Sequence, residues 1–302
     1  MFQSFSEIVA AAQHRDRVKI AVAAAADADV LVAVNEAKKK GIADAILVGD
    51  VVVIKNICQQ QGIDCGLFEL DDVPDARMAA RRAAELVRSD AAQVMMKGFV
   101  GTADFMRAVL NKSEGLGSGG LVSHCVVFEA DGYGRLMCLS DAAINIAPDL
   151  PQKIQIIENA LKITTALGNK EPRVAMLAAV EMVAASMKAT EDAALIAKMA
   201  ERGQIKGCLI DGPLALDNAV SVAAAKHKGI GGEVSGRADI LIVPNIEAGN
   251  ILYKALVYFA NAPLAGIVIG AAAPVVLTSR ADSPQNKLNS IALAVVASKT
   301  KG

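Results

Sequence analysis

Aromatic side chains are scarce in this chain of 302 residues: Trp is absent, and Phe, Tyr and Trp together make up 3% of the sequence. The volume of the core must therefore come from aliphatic side chains, as in Ala-rich helices packed on Val- and Ile-rich strands. Hydrophobic residues reach 53% and charged residues 21%, which excludes a disordered chain and indicates a globular protein with a large core. The length is sufficient for two compact α/β units, although one large domain fits the length as well.

The sequence also lacks an excess of positive charge and a long apolar run. With a formal net charge of −1, no basic field exists to hold a nucleic-acid backbone, so any anion site must be local. The most apolar stretch, Pro263–Leu277, is too short for an ordinary membrane span and is interrupted by Gly and Pro. The first twenty residues have no signal-peptide core. We therefore expect a cytoplasmic protein that binds a small ligand and neither a membrane nor a nucleic acid.

Paired cysteine motifs are missing. The five cysteines are scattered, odd in number and without CxxC spacing, which argues against a disulfide framework and against a zinc site. We expect reduced and mostly buried thiols at Cys58, Cys65, Cys125, Cys138 and Cys208.

The sequence does contain a regular alternation of short β-branched runs and longer Ala-rich segments with helical spacing. One such series runs from VKIAVAAA at Val18 to VMMKG at Val94, and a second begins with RVAMLAA at Arg173. This alternation predicts βαβ units, and hence an α/β fold with mainly parallel sheets. Between the two series lie a Gly-rich stretch at 115–120 and two predicted strands joined by a turn at 131–134, and a domain boundary is predicted near Gly120.

Polar residues follow several predicted strands, at the positions where α/β proteins bind ligands. In MMKGFVGTADFMRAVL, Lys97 ends a strand, Thr102 and Asp104 are candidates for the helix cap or first turn, and Arg107 lies on the helix. Backbone N–H groups with a Lys and an Arg nearby predict a phosphate site. A capped surface helix with solvated charges is the alternative.

Two further strand ends carry carboxylates. Two interpretations of Asp211 and Asp217 in LIDGPLALDNAV are open: the carboxylates bind a metal, or they only cap and bend the chain. The second interpretation is favoured. In LIVPNIEAGNILYKAL, Glu247, Gly249 and Asn250 are expected to fill a turn before a helix. A Gly in such a turn permits close approach of a ligand, although an ordinary connection fits equally well.

The last strand end, in PVVLTSRADSPQNKLNSIAL, places Ser279 and Arg280 beside Asp282, before a helix that contains Asn286. A hydroxyl next to a guanidinium suits a reaction in which negative charge passes to phosphate, because Arg can clamp two phosphate oxygens. A simple capped helix start remains open. His124, at the start of an apolar strand, is expected to be structural rather than catalytic.

These loops resemble the phosphate acetyl/butyryltransferase family, its butyryl members most closely. The resemblance covers the chain from about Val94 onward, and its longest matching stretches are KGFVGTADFMRAVL, KGCLIDGPLALDNAVS, ADILIVPNIEAGNILYKAL and APVVLTSRADS. It implies two three-layer α/β domains, 1–121 with 267–302 and 122–266, and a cleft between them. It also implies a homodimer or higher homo-oligomer. The implied reaction is reversible: acyl-CoA and inorganic phosphate give acyl phosphate and coenzyme A, with coenzyme A as a co-substrate and no metal or prosthetic group.

The resemblance also implies site residues. Ser279 and Arg280 correspond to a functional Ser-Arg pair of the acetyltransferases, and Arg107 corresponds to their phosphate-proximal basic residue. Their proton-accepting Asp is replaced here by Asn286, so Asp282 or Glu247 would have to substitute, or the proton takes another route. The predicted catalytic residues are Ser279, Arg280 and Asp282, and the predicted substrate-binding residues are Lys97, Thr102, Arg107, His124, Glu247, Asn250 and Asn286.

The expected mechanism is direct transfer, because no activated nucleophile with a paired base can be read from the sequence. Two rival functions stay open at this point. One is a metal-dependent hydroxy-acid dehydrogenase of related fold, and the other is an acyl-CoA sensor that has lost turnover.

Overall fold

The computed structural model describes residues 1–280 and 282–298, and the chain divides into two compact units. We call Phe5–Gly120 together with the segment from Leu264 onward the terminal unit. Met1–Ser4 and Leu121–Pro263 form the central unit. Both units combine helices with a mainly parallel sheet, so the predicted α/β class is confirmed.

The terminal unit begins as a series of strands that alternate with helices. Its elements are α1 (Phe5–Gln13), β1 (Val18–Ala23), α2 (Ala28–Lys39), β2 (Ala43–Gly49), α3 (Val51–Gln60), a short 3-10 helix (Cys65–Leu67), β3 (Glu69–Asp72), α4 (Ala76–Arg88), β4 (Val94–Lys97), α5 (Thr102–Val109), β10 (Leu264–Ile269), β11 (Val275–Val276) and α11 (Pro284–Ala297).

The strand order of the terminal unit is β3-β2-β1-β4-β11-β10. All neighbouring pairs are parallel except β10 with β11. The chain builds outward from β1 to β3 and then returns to add β4 on the other side of β1. Since crossovers between parallel strands are right-handed, this return places successive helices on opposite faces and makes the β1–β4 junction a topological switch point.

The central unit has the same kind of architecture. Its elements are β5 (Ser123–Glu129), β6 (Leu136–Ser140), α6 (Leu150–Ala166), β7 (Arg173–Leu177), α7 (Lys188–Glu201), β8 (Leu209–Leu214), α8 (Leu216–Val220), α9 (Val222–His227), β9 (Ile240–Ile242) and α10 (Ile246–Tyr258). The strand order is β5-β6-β9-β7-β8, and only the β5–β6 pair is antiparallel.

Carboxylate and hydroxyl side chains set where several helices begin. Asp27 accepts the N–H of Val30 at 3.0 Å at the start of α2, and Ser283 accepts the N–H of Asn286 at 3.2 Å at the start of α11. At the start of α6, Asp149 forms a reciprocal capping box with Gln152. These side chains satisfy N–H groups that the first helical turn leaves without partners, and so they fix the loops that precede the helices.

Two sequence predictions of local structure are wrong. Glu247, Gly249 and Asn250 do not fill a turn before a helix, because the side chain of Asn245 caps α10 and the helix already begins at Ile246. The strand before Asp211-Gly212-Pro213 does not stop there, since β8 continues through these residues to Leu214. The predicted strand pair joined by the turn at 131–134 is confirmed as β5 and β6. Within the described residues, no helix has the length and apolar character needed to cross a membrane.

Gly98 allows the backbone after β4 to lie directly against the backbone after β1. Its N–H donates to the carbonyl oxygen of Ala23 at 2.9 Å, and the N–H of Phe99 donates to that of Ala24 at 2.7 Å. A Cβ atom on Gly98 would lie 2.3 Å from the oxygen of Ala24, a distance at which the backbone must shift. The junction of β1 and β4 therefore requires glycine at this position.

We expect Gly98→Ala to destabilise the protein by about 2 kcal/mol, because the added methyl group overpacks a backbone contact. The measurement is the midpoint of thermal unfolding, which should fall by several degrees. Gly120→Ala is the matched control, since a Cβ on Gly120 would meet only the Ser118 hydroxyl, at 3.9 Å. Equal midpoints for the two variants would contradict the close approach.

Candidate active site

The carboxyl ends of β1, β4 and β11 lie next to one another in the terminal unit, at the switch point of its sheet. Ligands of open α/β sheets bind outside the strand ends at such a point, because the loops on either side diverge toward opposite faces. Three loops follow these strand ends: Ala24–Asp27, Gly98–Gly101 and Leu277–Arg280. They define the candidate site.

Lys97, the last residue of β4, is a cation with only 5% of its surface exposed. Its Nζ donates a hydrogen bond to the backbone oxygen of the next residue at 3.3 Å. Burial lowers the pKa of Lys97 to about 8, and the positive charges of Arg280 and Lys287 add to this effect. The carboxylates of Asp27 and Asp282 oppose it. Lys97 thus titrates much closer to neutrality than an ordinary lysine.

Asp282 organises the turn between β11 and α11. Its carboxylate accepts the backbone N–H of Ser279 at 2.7 Å, and its backbone oxygen accepts a hydrogen bond from Nζ of Lys287. Asp282 and Lys287 are each 2% exposed. Ser279 is half-buried and Arg280 is exposed. Ser279 and Arg280 therefore belong to a turn that is held by the buried carboxylate of Asp282, the third predicted catalytic residue, and by the buried side chain of Lys287.

Arg280 lies over the aromatic ring of Phe99, with the guanidinium carbon 4.9 Å from the ring centroid. This cation–π contact connects the loop after β11 with the loop after β4. It brings Arg280 and Lys97, which are 183 positions apart in the sequence, into one group of charges. We call this group the Lys97 cluster; its members are Asp27, Lys97, Phe99, Ser279, Arg280, Asp282 and Lys287.

Arg107 and Thr102 lie on α5, which follows the loop after β4. Thr102 is the first residue of the helix, and Gly101 rather than Thr102 occupies the capping position. Arg107 is exposed and forms an ion pair with Asp104, whose carboxylate also contacts Nε of Arg77 at 3.2 Å. The hydrogen bond from Arg107 is the largest of the influences that lower the pKa of Asp104. A phosphate that recruits Arg107 would have to compete with this carboxylate.

Asn286, the residue that departs from the pattern of the acetyltransferases, has a structural contact. Its Oδ1 accepts the N–H of Leu264, the first residue of β10, at 3.2 Å. The side chain thus helps to join the start of α11 to the start of β10. Its assignment to substrate binding stays a prediction.

His124, Glu247 and Asn250 belong to the central unit. His124 is buried in β5, and its ring meets the ring of Tyr253 edge to face, with centroids 6.4 Å apart. Asn250 donates to the backbone oxygen of Ala142 at 3.3 Å, whereas Glu247 is exposed in the first turn of α10. Their roles in substrate binding stay predictions.

Gly249 brings α10 close to the loop after β6. A Cβ atom at this position would lie 2.3 Å from the backbone oxygen of Asp141. The close contact at Gly249 is thus with the protein's own backbone, and the approach of a ligand to this residue stays a prediction.

A cavity of about 330 Å³ lies in the central unit, beyond the carboxyl end of β9 and at the starts of α6 and α7. It contains a buried ion pair between Nζ of Lys153 and the carboxylate of Asp192, at 2.8 Å. Lys188 contacts the second carboxylate oxygen at 2.5 Å. Burial works to raise the pKa of Asp192, but the hydrogen bonds from the two lysines outweigh it, so the pKa is lowered. Sequence reasoning did not single out this site.

Asp211 and Asp217 have local roles. Asp211 accepts the N–H of Gly212 at 2.8 Å, and Asp217 forms an ion pair with Lys228 at 2.9 Å. The hydrogen bond from Lys228 lowers the pKa of Asp217. Within residues 1–280 and 282–298, no group of three or more His, Cys, Asp or Glu side chains could hold a metal ion.

The sequence matches a family model and is similar to known proteins over its whole length. The model described as "Phosphate acetyl/butaryl transferase" matches residues 4–81 and 76–295. The phosphate butyryltransferase of Clostridium acetobutylicum is 50% identical over 301 residues, which cover all of both chains. The phosphate acetyltransferase of Thermotoga maritima is 42% identical and covers 92% of this chain and 94% of its own.

Solved structures give a consistent result. A branched-chain phosphotransacylase from Enterococcus faecalis superposes with a TM-score of 0.81 at 30% identity, over 93% of this chain and 100% of its own. The 4-hydroxythreonine-4-phosphate dehydrogenase of Klebsiella pneumoniae superposes with a TM-score of 0.57 at 14% identity, over 93% of this chain and all of its own. The second likeness concerns the fold alone.

The buried ion pair of the central unit yields a stability prediction. Lys153→Met should lower the free energy of unfolding by about 3 kcal/mol, because Asp192 then keeps only the exposed Lys188 as a partner. The double variant Lys153→Met/Asp192→Leu should lose less, since the buried carboxylate is removed together with its buried partner. Lys198→Met, which removes an exposed pair with Glu201, is the control and should leave stability unchanged. Urea unfolding measures all three, and a double variant less stable than Lys153→Met would overturn this account.

Proposed function

This chain belongs to the phosphate acetyl/butyryltransferase family and is a phosphate acyltransferase, and from that premise we propose that its acyl substrate is butyryl or a similar short-chain group. Coenzyme A is the co-substrate, and the group moves reversibly between the coenzyme A sulfur and a phosphate oxygen. The observation that carries the butyryl assignment is the 50% identity with a phosphate butyryltransferase over the entire length of both chains. The dehydrogenase and sensor functions have no comparable support.

The Lys97 cluster is the place we propose for the phosphate. The phosphate group of an acyl phosphate is anionic, and further negative charge moves onto it as its bond to the acyl carbon breaks. Arg280 would bind the departing phosphate, since its guanidinium rests on an aromatic ring and can present planar donors to two oxygens. Ser279 would orient the thiol or donate to the tetrahedral oxyanion.

Asp282 would act on the reaction through Ser279. Its carboxylate accepts the Ser279 backbone N–H at 2.7 Å. This hydrogen bond would fix the backbone of Ser279 and so the direction in which the side chains of Ser279 and Arg280 leave the turn. A second group of residues is proposed to contact the remaining parts of the substrates: Lys97, Thr102, Arg107, His124, Glu247, Asn250 and Asn286. We further propose a homo-oligomeric, cytoplasmic enzyme with two domains, 1–121 with 267–302 and 122–266.

The first test is phosphate-dependent release of free thiol from acetyl-, butyryl- and longer acyl-CoA. We expect release that requires phosphate and is fastest with a four-carbon group. A clear optimum at two carbons would reject the butyryl assignment. No release with any acyl-CoA, while coenzyme A still binds, would reject the enzyme function and favour a sensor.

The second test concerns the site residues. Ser279→Ala and Arg280→Gln should each lower kcat by about 10²–10³, because each removes a donor to charge that develops in the transition state. Thermal unfolding should stay near that of the unmodified protein. Arg81→Gln, on the exposed face of α4, is the matched control and should be fully active. Nearly normal turnover in both site variants would remove these residues from the mechanism.

A further inference from the structure

The proposed reaction moves one proton as well as one acyl group. When coenzyme A attacks an acyl phosphate, the S–H proton must leave the sulfur, and the phosphate that departs must gain a proton to become hydrogen phosphate. A free thiol has a pKa of about 8.5, so a base near the sulfur speeds its attack. The identity of this base is inferred from the structure and rests on the proposed function.

The residues considered so far do not supply the proton carrier. Asn286 cannot accept a proton, and its Oδ1 already accepts the N–H of Leu264. The carboxylate of Asp282 accepts the N–H of Ser279 and holds the turn. A guanidinium group does not act as a base in proteins, so Arg280 is not the carrier. Among the remaining titratable groups of the cluster, Asp27 caps α2 and Lys287 donates to the backbone oxygen of Asp282, whereas Lys97 lies at the end of the strand next to β11.

We propose that Lys97 carries the proton between the coenzyme A sulfur and the phosphate oxygen. It lies at the carboxyl end of β4, the position at which a switch-point sheet presents groups to its ligand. β11 pairs with β4 in parallel, with Val276 opposite Met96, so the chain that leads to Ser279 and Arg280 leaves the sheet beside Lys97. The lysine therefore stands next to the group proposed to bind phosphate.

The proton balance closes without any other reactant. The neutral amine takes the S–H proton as the sulfur–carbon bond forms, and it is an ammonium ion while the tetrahedral intermediate exists. It then gives the proton to the phosphate oxygen as the carbon–oxygen bond breaks. In the opposite direction the amine takes the proton of hydrogen phosphate and gives it to the departing sulfur. Lys97 is thus neutral at the start and at the end of both directions.

The surroundings of Lys97 suit this role. Arg280 and Lys287 of the β11–α11 segment favour the neutral amine, as burial does, while Asp282 of the same segment and Asp27 of the β1–α2 loop favour the ammonium ion. The resulting pKa of about 8 lies close to that of a thiol. Proton transfer is most efficient between groups of matched pKa near the working pH.

Substitutions of Lys97 separate proton transfer from simple charge. Lys97→Arg keeps the positive charge but cannot release its proton, and Lys97→Met removes both. We expect both variants to lose about 10²–10⁴ in kcat for acyl-CoA and phosphate, with coenzyme A affinity within threefold of that of the unmodified protein. Lys38→Met, which removes a half-buried lysine of α2 paired with Asp44, is the matched control and should be fully active. If Lys97→Arg keeps its kcat within threefold, Lys97 supplies only charge and the proposal is wrong.

The pH profile gives a test that does not depend on the folding of either Lys97 variant. In the unmodified protein, kcat/KM for phosphate should rise with pH through about 8, because the neutral amine is the active form. Asp27→Asn removes a charge that favours the ammonium ion but keeps a good cap for α2. We expect its midpoint to move to lower pH by about half a unit. The ratio of the two profiles cancels the titration of phosphate itself.

The outcomes distinguish this inference from the proposed function. Phosphate-dependent release of thiol by the unmodified protein tests the proposed function, and no Lys97 or Asp27 variant is needed for that test. If that protein is active and the Asp27→Asn midpoint is unchanged or moves to higher pH, only the role of Lys97 is overturned. If the unmodified protein shows no turnover, both the proposed function and the role of Lys97 as proton carrier are rejected.

Discussion

The pairing of β4 with β1, on the side of β1 away from β2, is the constraint on which the candidate site depends. It forces the chain to reverse the direction in which it builds the sheet, and so it opens a crevice at the strand ends. The reversal also requires the backbones after the two strands to pack against each other, which glycine at position 98 permits. β11 then joins the free side of β4, and its loop contributes the Ser-Arg pair to the same edge.

Much of this fold can be predicted from the sequence, because its signals are local. The alternation of β-branched and Ala-rich segments predicts parallel βαβ units, and the residues at 131–134 predict the tight connection between β5 and β6. The family can also be predicted, since stretches such as DGPLALDNA and PNIEAGNILYKAL are long and specific. Helix starts are less certain, as α10 shows: the side chain of Asn245 accepts the N–H of Ala248, and this single hydrogen bond moves the start of the helix ahead of Glu247.

The composition of the site cannot be predicted in the same way, because it depends on which strands become neighbours. Lys97 and Ser279 lie in separate stretches of sequence, and only the adjacency of β4 and β11 places them at one edge. Asp27, Phe99 and Lys287 carry no distinctive motif, so the sequence gives no reason to group them with Arg280. The same holds for Lys153 and Asp192, since nothing in α6 or α7 alone indicates that their side chains form a buried ion pair.

Burial of Lys97 has a consequence for the stability of the protein. The pKa of about 8, against an ordinary value of 10.5, means that the unfolded chain binds this proton more tightly than the folded one. Below pH 8 this difference works against folding by about 3 kcal/mol, and the deficit shrinks as pH rises from 8 toward 10.5. The stability of the terminal unit therefore depends on pH in the range from about 8 to 10.5, in which the unfolded chain holds this proton and the folded chain releases it.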